Sequence, residues 1–220
     1  ALVGQPLAVT ARVFDFGLRT SEDTAKQSRF VLGGRGTFAG QEYEAAYTQN
    51  TSKTSGTVPD GYFSQVAFAR VVNQPDSDYN PWSLTQSATF NQRLAAANAK
   101  YTGGTLEAES TSDMIDAKLS GGLFAAPGGQ AQYAVGAAYR KEQYALAPSP
   151  AQETGDIAGL GGAVLALDRS RKTASIWGEV NVPILKTLEG NVSLRGDKYS
   201  VIGNASTYKA NLRWTPTRAV

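Results

Sequence analysis

Glu42 and Glu44 stand two residues apart, a spacing that sets both carboxylates on one face of a β-strand, where a pair could act as acid and base on a glycoside. Arg29 and Arg35 fall on the matching face of the preceding segment, so the four charges read better as ion pairs lining a wet surface. In "PDSDYNPWSLTQ", Asp76, Asp78 and Asn80 occupy the first three ligand positions of a calcium loop. Pro81 stands where that loop needs Gly and Ser87 where it needs a bidentate Glu, so the stretch reads as a polar surface loop. "GGRGTFAG" and "GLGGAV" echo phosphate loops, but no βαβ unit frames either; glycine on a strand permits a bend or a close backbone approach instead. The chain has no His and no Cys. That removes Ser-His and Cys-His catalysis, thiolate chemistry and the usual zinc sites. An enzyme here would have to use carboxylates or lysines alone; none is expected, nor any metal or cofactor.

The remaining candidates concern binding. The loop aromatics Tyr62, Phe63, Tyr79 and Trp82 could form a platform for a sugar or a chelate, with internal packing of a long loop as the competing role. Trp177 shares the parity of Glu179 and Asn181 and could stack on a ligand. Arg35, Glu42, Glu44, Arg140, Arg195, Lys209 and Arg213 complete the candidate substrate-binding set. With 21 basic and 19 acidic side chains the net charge is +2. No basic cluster is interleaved with aromatics, so no nucleic-acid partner is expected.

These residues are positioned by strands. In "RFVLGGRGTFAGQEYEAAYTQ" apolar and polar residues alternate on either side of Ala39-Gly40, the pattern of a β-hairpin with one greasy and one wet face. Eight strands are expected, over residues 6–16, 27–38, 41–52, 109–124, 130–144, 172–184, 188–199 and 206–215. Tight turns ("AG", "AAPGG", "LKT") alternate with longer connections: about ten residues from Gly17, a long loop over 53–108 with helices near 64–72 and 87–98, a second loop over 145–171, and "VIGNA". Strict alternation places all turns at one end and all loops at the other, the layout of an outer-membrane barrel with periplasmic turns and extracellular loops. A Greek-key sandwich has no reason to keep that order.

The faces agree. Tyr208, Ala210, Leu212 and Trp214 oppose Lys209, Asn211 and Arg213; Tyr133, Val135, Ala137 and Tyr139 oppose Gly136, Ala138 and Arg140; Ile115, Ala117 and Leu119 oppose Asp116, Lys118 and Ser120; Val192 and Leu194 oppose Glu189, Asn191, Ser193, Arg195 and Asp197. Phe30 to Phe38 spans about 26 Å of strand at ~3.3 Å per residue, or about 20 Å along a membrane normal at ~40° tilt. That spacing suits two aromatic girdles flanking an apolar band, with grease outward to lipid and charge inward. No apolar run approaches the ~20 residues of a spanning helix, which leaves a barrel open. Ala1 rather than Met opens the sequence and no signal peptide is visible, so the chain reads as processed or trimmed. "TPTRAV" supplies no closing aromatic strand, and the expectation is an arc of a larger barrel.

"SLRGDKYSVIGNASTYKANLRWTPT", 193–217, with support from "GAAYRKE", "EVNVPIL", "DYNPW" and "LAVTARV", resembles TonB-dependent outer-membrane receptors. Gly196 stands where that family usually carries a larger residue. The resemblance implies an all-β, antiparallel transmembrane barrel of 22 strands, of which residues 1–220 form part, in the bacterial outer membrane. It also implies import of a small nutrient such as a siderophore, carbohydrate or other chelate. The partners would be outer-membrane lipid and a TonB-type energy-coupling protein acting through a plug absent from these residues. The alternative is a soluble β-rich carbohydrate- or ligand-binding module.

Overall fold

Period-two alternation pairs residue by residue in the computed structural model, which describes residues 10 and 12–216. One antiparallel sheet runs in chain order through β1 (Thr20–Phe38), β2 (Gln41–Phe63), β3 (Lys100–Ala126), β4 (Gly129–Pro148), β5 (Leu167–Leu185), β6 (Leu188–Tyr199) and β7 (Gly203–Trp214). β1 and β7 are its edges, so the sheet is open. Three short helices, α1 (Gln65–Val72), α2 (Ala88–Ala96) and α3 (Pro150–Glu153), lie in the two long connections.

Among the described residues seven strands stand where eight were expected over the whole chain. The strand expected over 6–16 lies partly outside the described residues, and residues 12–16 are not strand: Asp15 and Phe16 form a turn closed by Gly17 N–H donating to Phe14 O. All the other strands but β6 start earlier or run longer than their hydrophobic pattern, β1, β2 and β3 most of all. β1 starts seven residues early, β2 continues to Phe63 and β3 begins at Lys100, so the connection expected over 53–108 shrinks to 64–99. "TSEDTAK" shows no apolar face, and the added residues of β2 and β3 hold only scattered apolar side chains such as Val58 and Tyr62; backbone pairing there does not need a continuous greasy side, and alternation cannot report it.

The turns fall where expected. Ala39 and Gly40 both take positive φ (49° and 76°), as a two-residue hairpin loop matched to strand twist requires. At Gly128 an added Cβ would sit 2.5 Å from the carbonyl oxygens of both Pro183 and Leu185. Gly128 N–H donates to Pro183 O at 2.9 Å, and the β5–β6 register shifts between Pro183 and Leu185. The β3–β4 turn is thus bonded into an irregularity at the end of β5.

The chain divides into two compact units: residues 1–26, 53–108 and 145–167, and residues 27–52, 109–144 and 168–220. The first holds both clusters of buried apolar side chains, one of Phe16, Val71, Phe90, Leu94 and Ala99, the other of Val58, Tyr62 and Ile157. Its helices are capped as the sequence prescribes: Ser64 Oγ accepts from Ala67 N–H and Ser87 Oγ from Phe90 N–H. Asp156 joins the two long connections, its carboxylate accepting from Ser64 Oγ (2.5 Å) and from Val66 N–H (2.7 Å) at the positive end of α1.

The second unit is two-faced sheet. The register of β5, β6 and β7 aligns Gly178, Leu194 and Tyr208, then Val180, Val192 and Ala210, then Val182, Gly190 and Leu212 on one face. No second layer covers them: Leu194 is 63% exposed, Leu212 69% and Tyr208 86%.

Candidate functional site: the polar face of the sheet

The same register builds the other face rung by rung: Ser175, Asp197 and Ala205; Trp177, Arg195 and Thr207; Glu179, Ser193 and Lys209; Asn181, Asn191 and Asn211; and Glu189 beside Arg213. Every polar side chain of these rungs follows from alternation on a strand whose opposite face is apolar.

Arg195 is fixed on this face. Its Nη2 and Nε donate to the two carboxylate oxygens of Asp197 at 2.8 and 2.9 Å, and Ser175 Oγ donates to Asp197 Oδ1 at 2.5 Å. Asp197 is buried, so the guanidinium is held where a fork-to-fork pair is strongest while its outer edge stays half exposed. A second cluster lies on β4 and β5, with Glu142 taking two bonds from Arg171 (2.7 and 2.9 Å) and standing 3.8 Å from Arg140 Nε. Toward the tight turns, Asn181 donates to Glu189 (2.5 Å), Asn191 to Glu179 (2.6 Å), and Arg213 stands 3.9 Å from Glu189.

Trp177 does not project from the face. A Cβ on Gly136 would stand 2.5 Å from its indole, so the ring lies across β4 directly over that glycine, beside Arg195. Sequence reading singled out Trp177 but missed Gly136, whose lack of a side chain is what lets the indole lie flat. On the opposite face Tyr43 covers Gly36 in the same manner.

A separate recess of about 440 Å³ gathers Arg35, Glu42 and Glu44, with Lys118 of β3 added. Glu44 was expected to pair with Arg35 or Arg29; its carboxylate instead stands 4.0 Å from Lys118 Nζ, because β3, like β1, flanks β2. Arg140 and Arg195 belong to adjacent clusters, while Lys209 and Arg213 lie on the edge strand β7.

The loop aromatics separate. Tyr62 is buried with Val58 and Ile157, and the guanidinium of Arg19 stands 5.7 Å over its ring. Tyr79 packs between Phe68 (5.6 Å) and Phe90 (5.3 Å), where burial, then the charge of Asp15, pushes its phenol up from the ordinary value. Phe63 stacks on Phe16 at 4.6 Å. Trp82 remains 88% exposed, with its N–H donating to Asn80 Oδ1. The calcium-like residues are engaged by protein donors: Asp76 by Arg93, Asp78 by Ser87 and Asn80 by Trp82. In the same unit Lys100 Nζ, 2.6 Å from Asp60 Oδ1, holds that carboxyl below the usual carboxylate range, assisted by Gly61 N–H.

A family model described as "TonB dependent receptor-like, beta-barrel" matches residues 8–220. Among solved structures, a mutant of the ferric enterobactin receptor PfeA from Pseudomonas aeruginosa is similar at 14% identity and a TM-score of 0.58, over 89% of this chain and 24% of that one. The chain therefore spans about a quarter of that receptor's length, and the likeness is one of fold. Curated protein sequences give no match.

Proposed function

This chain belongs to the TonB dependent receptor-like β-barrel family of the outer membrane, and on that premise we propose that it forms an arc of a nutrient-importing barrel. The observation that carries the reading is the uncovered apolar face of β5–β7 set against a hydrogen-bonded, charged opposite face. A soluble module would bury that apolar face against another layer; a barrel turns it to lipid and keeps the charges inside. In this reading the connections within 53–108 and 145–171 face the exterior, and Trp82 is the loop aromatic free to meet a solute. Trp177, Arg140, Arg195, Lys209, Arg213 and the recess of Arg35, Glu42 and Glu44 line the inner wall. Tyr62 and Tyr79 act as packing residues of the loop unit. The solute is a siderophore, carbohydrate or other chelate, and a TonB-type protein supplies the energy through a plug domain.

Two measurements test this. The chain contains no cysteine to compete, so Ser83→Cys in the complete receptor is expected to react with an impermeant maleimide on intact cells, and Lys186→Cys only after permeabilisation. Uptake of a panel of labelled ferric siderophores and oligosaccharides by cells carrying the receptor is expected to stop when the inner-membrane proton gradient is dissipated. Uptake of all of them unchanged by that treatment, or by deletion of the receptor, would refute active import.

A further inference from the structure

Three lysines occupy the apolar face of β4, β5 and β6 at the end where the long connections attach. β4 neighbours β5, and the bonds Glu142–Arg171 and Gln143–Asp168 between them place Lys141 within one same-face position of Lys172. Lys198 pairs with Ala174, one same-face position along β5 from Lys172. All three are exposed, and no carboxylate lies within ion-pair distance of any of them among the described residues. Two carboxylates on this face nearby have other partners: Asp113 accepts from Tyr47 (2.8 Å) and Gln49 (3.1 Å), and Asp168 from Gln143 (3.3 Å). Like charges brought close on one sheet face repel one another.

A second feature of the same face begins at Gly196, two residues along β6 from Lys198. Below them toward the tight turns, a hollow of about 1120 Å³ opens over Gly178 and Gly196, walled by Val135, Ile176, Leu194 and Tyr208. The glycines leave the sheet without side chains where its neighbours stand proud, and the walls are apolar.

We propose that Lys141, Lys172 and Lys198 bind the phosphorylated headgroup of an outer-leaflet lipid whose acyl chain lies in this hollow. The inference rests on the outward-facing apolar surface and loop orientation of the proposed barrel. Three ammonium groups clustered on a lipid-facing surface match a polyanion, and the apolar hollow on the same face matches the hydrocarbon tail of a lipid that carries one. A free inorganic anion satisfies only the first condition.

The test uses the complete receptor in phosphatidylcholine nanodiscs, titrated with bisphosphorylated lipid A and read by native mass spectrometry. Each lysine near an anionic lipid surface is worth about fivefold, so the triple variant Lys141→Gln, Lys172→Gln, Lys198→Gln is expected to bind lipid A about a hundredfold more weakly. The corresponding triple Arg variant, which keeps the charge, is expected to bind as the wild type does, and this separates lost binding from lost folding. Millimolar inorganic phosphate is expected to leave the lipid in place, and nutrient uptake to be unchanged by the Gln substitutions. Equal lipid A binding by the wild-type and triple Gln proteins, or full displacement by inorganic phosphate, would overturn the proposal. Failure of the loop orientation itself shows separately, as labelling of Ser83→Cys only after permeabilisation.

Discussion

Val192 and Asn191 are neighbours on β6 that face opposite ways, and they give the sharpest test of which face meets lipid. The apolar positions of β6 run from Leu188 to Gly196, about 26 Å of strand at ~3.3 Å per residue and about 20 Å along the normal at ~40° tilt. Val192 is their midpoint, aligned with Val180 and Ala210 and 54% exposed, so in the barrel it stands at the bilayer centre. An arginine there costs about 2–4 kcal/mol, a factor of roughly 30 to 1000 in the unfolding equilibrium at ~1.4 kcal/mol per decade. Asn191→Arg places the same charge on the opposite face, next to Glu179 and Glu189, the first already bonded to Asn191 and the second opposite Arg213. Its cost is expected to stay under about 1 kcal/mol, because the guanidinium remains hydrated or paired. The assay is reversible urea unfolding of the complete receptor in short-chain phosphatidylcholine vesicles, followed by tryptophan fluorescence. Equal losses at the two positions, or a larger loss at Asn191, would refute the assignment of faces.

Three further outcomes follow from local geometry. Gly128→Ala drives a methyl into two carbonyl oxygens and is expected to cost about 1–3 kcal/mol in the same unfolding assay, whereas alanine at Gly34, which meets nothing within 4 Å, is tolerated. Gly136→Ala lifts the Trp177 indole off β4; the difference spectrum against Trp177→Phe is expected to shift to longer wavelength as the ring gains solvent. Asp60, whose folded pKa lies below its unfolded one, adds stability above the unfolded value that disappears as pH falls through the folded value. Asp60→Asn is therefore expected to reduce the loss of thermal stability between about pH 5 and about pH 3, measured by calorimetry.

Sequence patterning located most of what the sheet does and less of what the loops do. β6 appears at its expected limits, and α1 and α2 begin one residue inside the ranges expected near 64–72 and 87–98, with Ser64 and Ser87 as their caps, because alternation and capping are local and leave marks within a few residues. The extra length of β1, β2 and β3 was invisible, since "TSEDTAK" writes no periodicity and the apolar residues of the β2 and β3 extensions are too scattered to mark a face. Tyr62 and Tyr79 illustrate the other limit: an aromatic in a long loop reads the same whether it faces a solute or an apolar side chain brought from elsewhere in the chain, as Ile157 and Phe90 are here. Lys118 joined the recess of Glu42 and Glu44 only through the pairing of β2 with β3, a relation between residues more than seventy positions apart.

The bond between Asp156 and the start of α1 gives the two long connections a shared inheritance. Residue 156 belongs to the second connection, yet it completes the first turn of a helix in the first, and Ile157 beside it fills the core under Val58 and Tyr62. Neither connection can be exchanged or resized by itself without orphaning donors and opening a void in the other. Grafting one alone onto a related barrel should give a misfolded surface, while a graft that keeps the unit's core must move 53–108 and 145–167 together with the segment that carries Phe16 and Arg19.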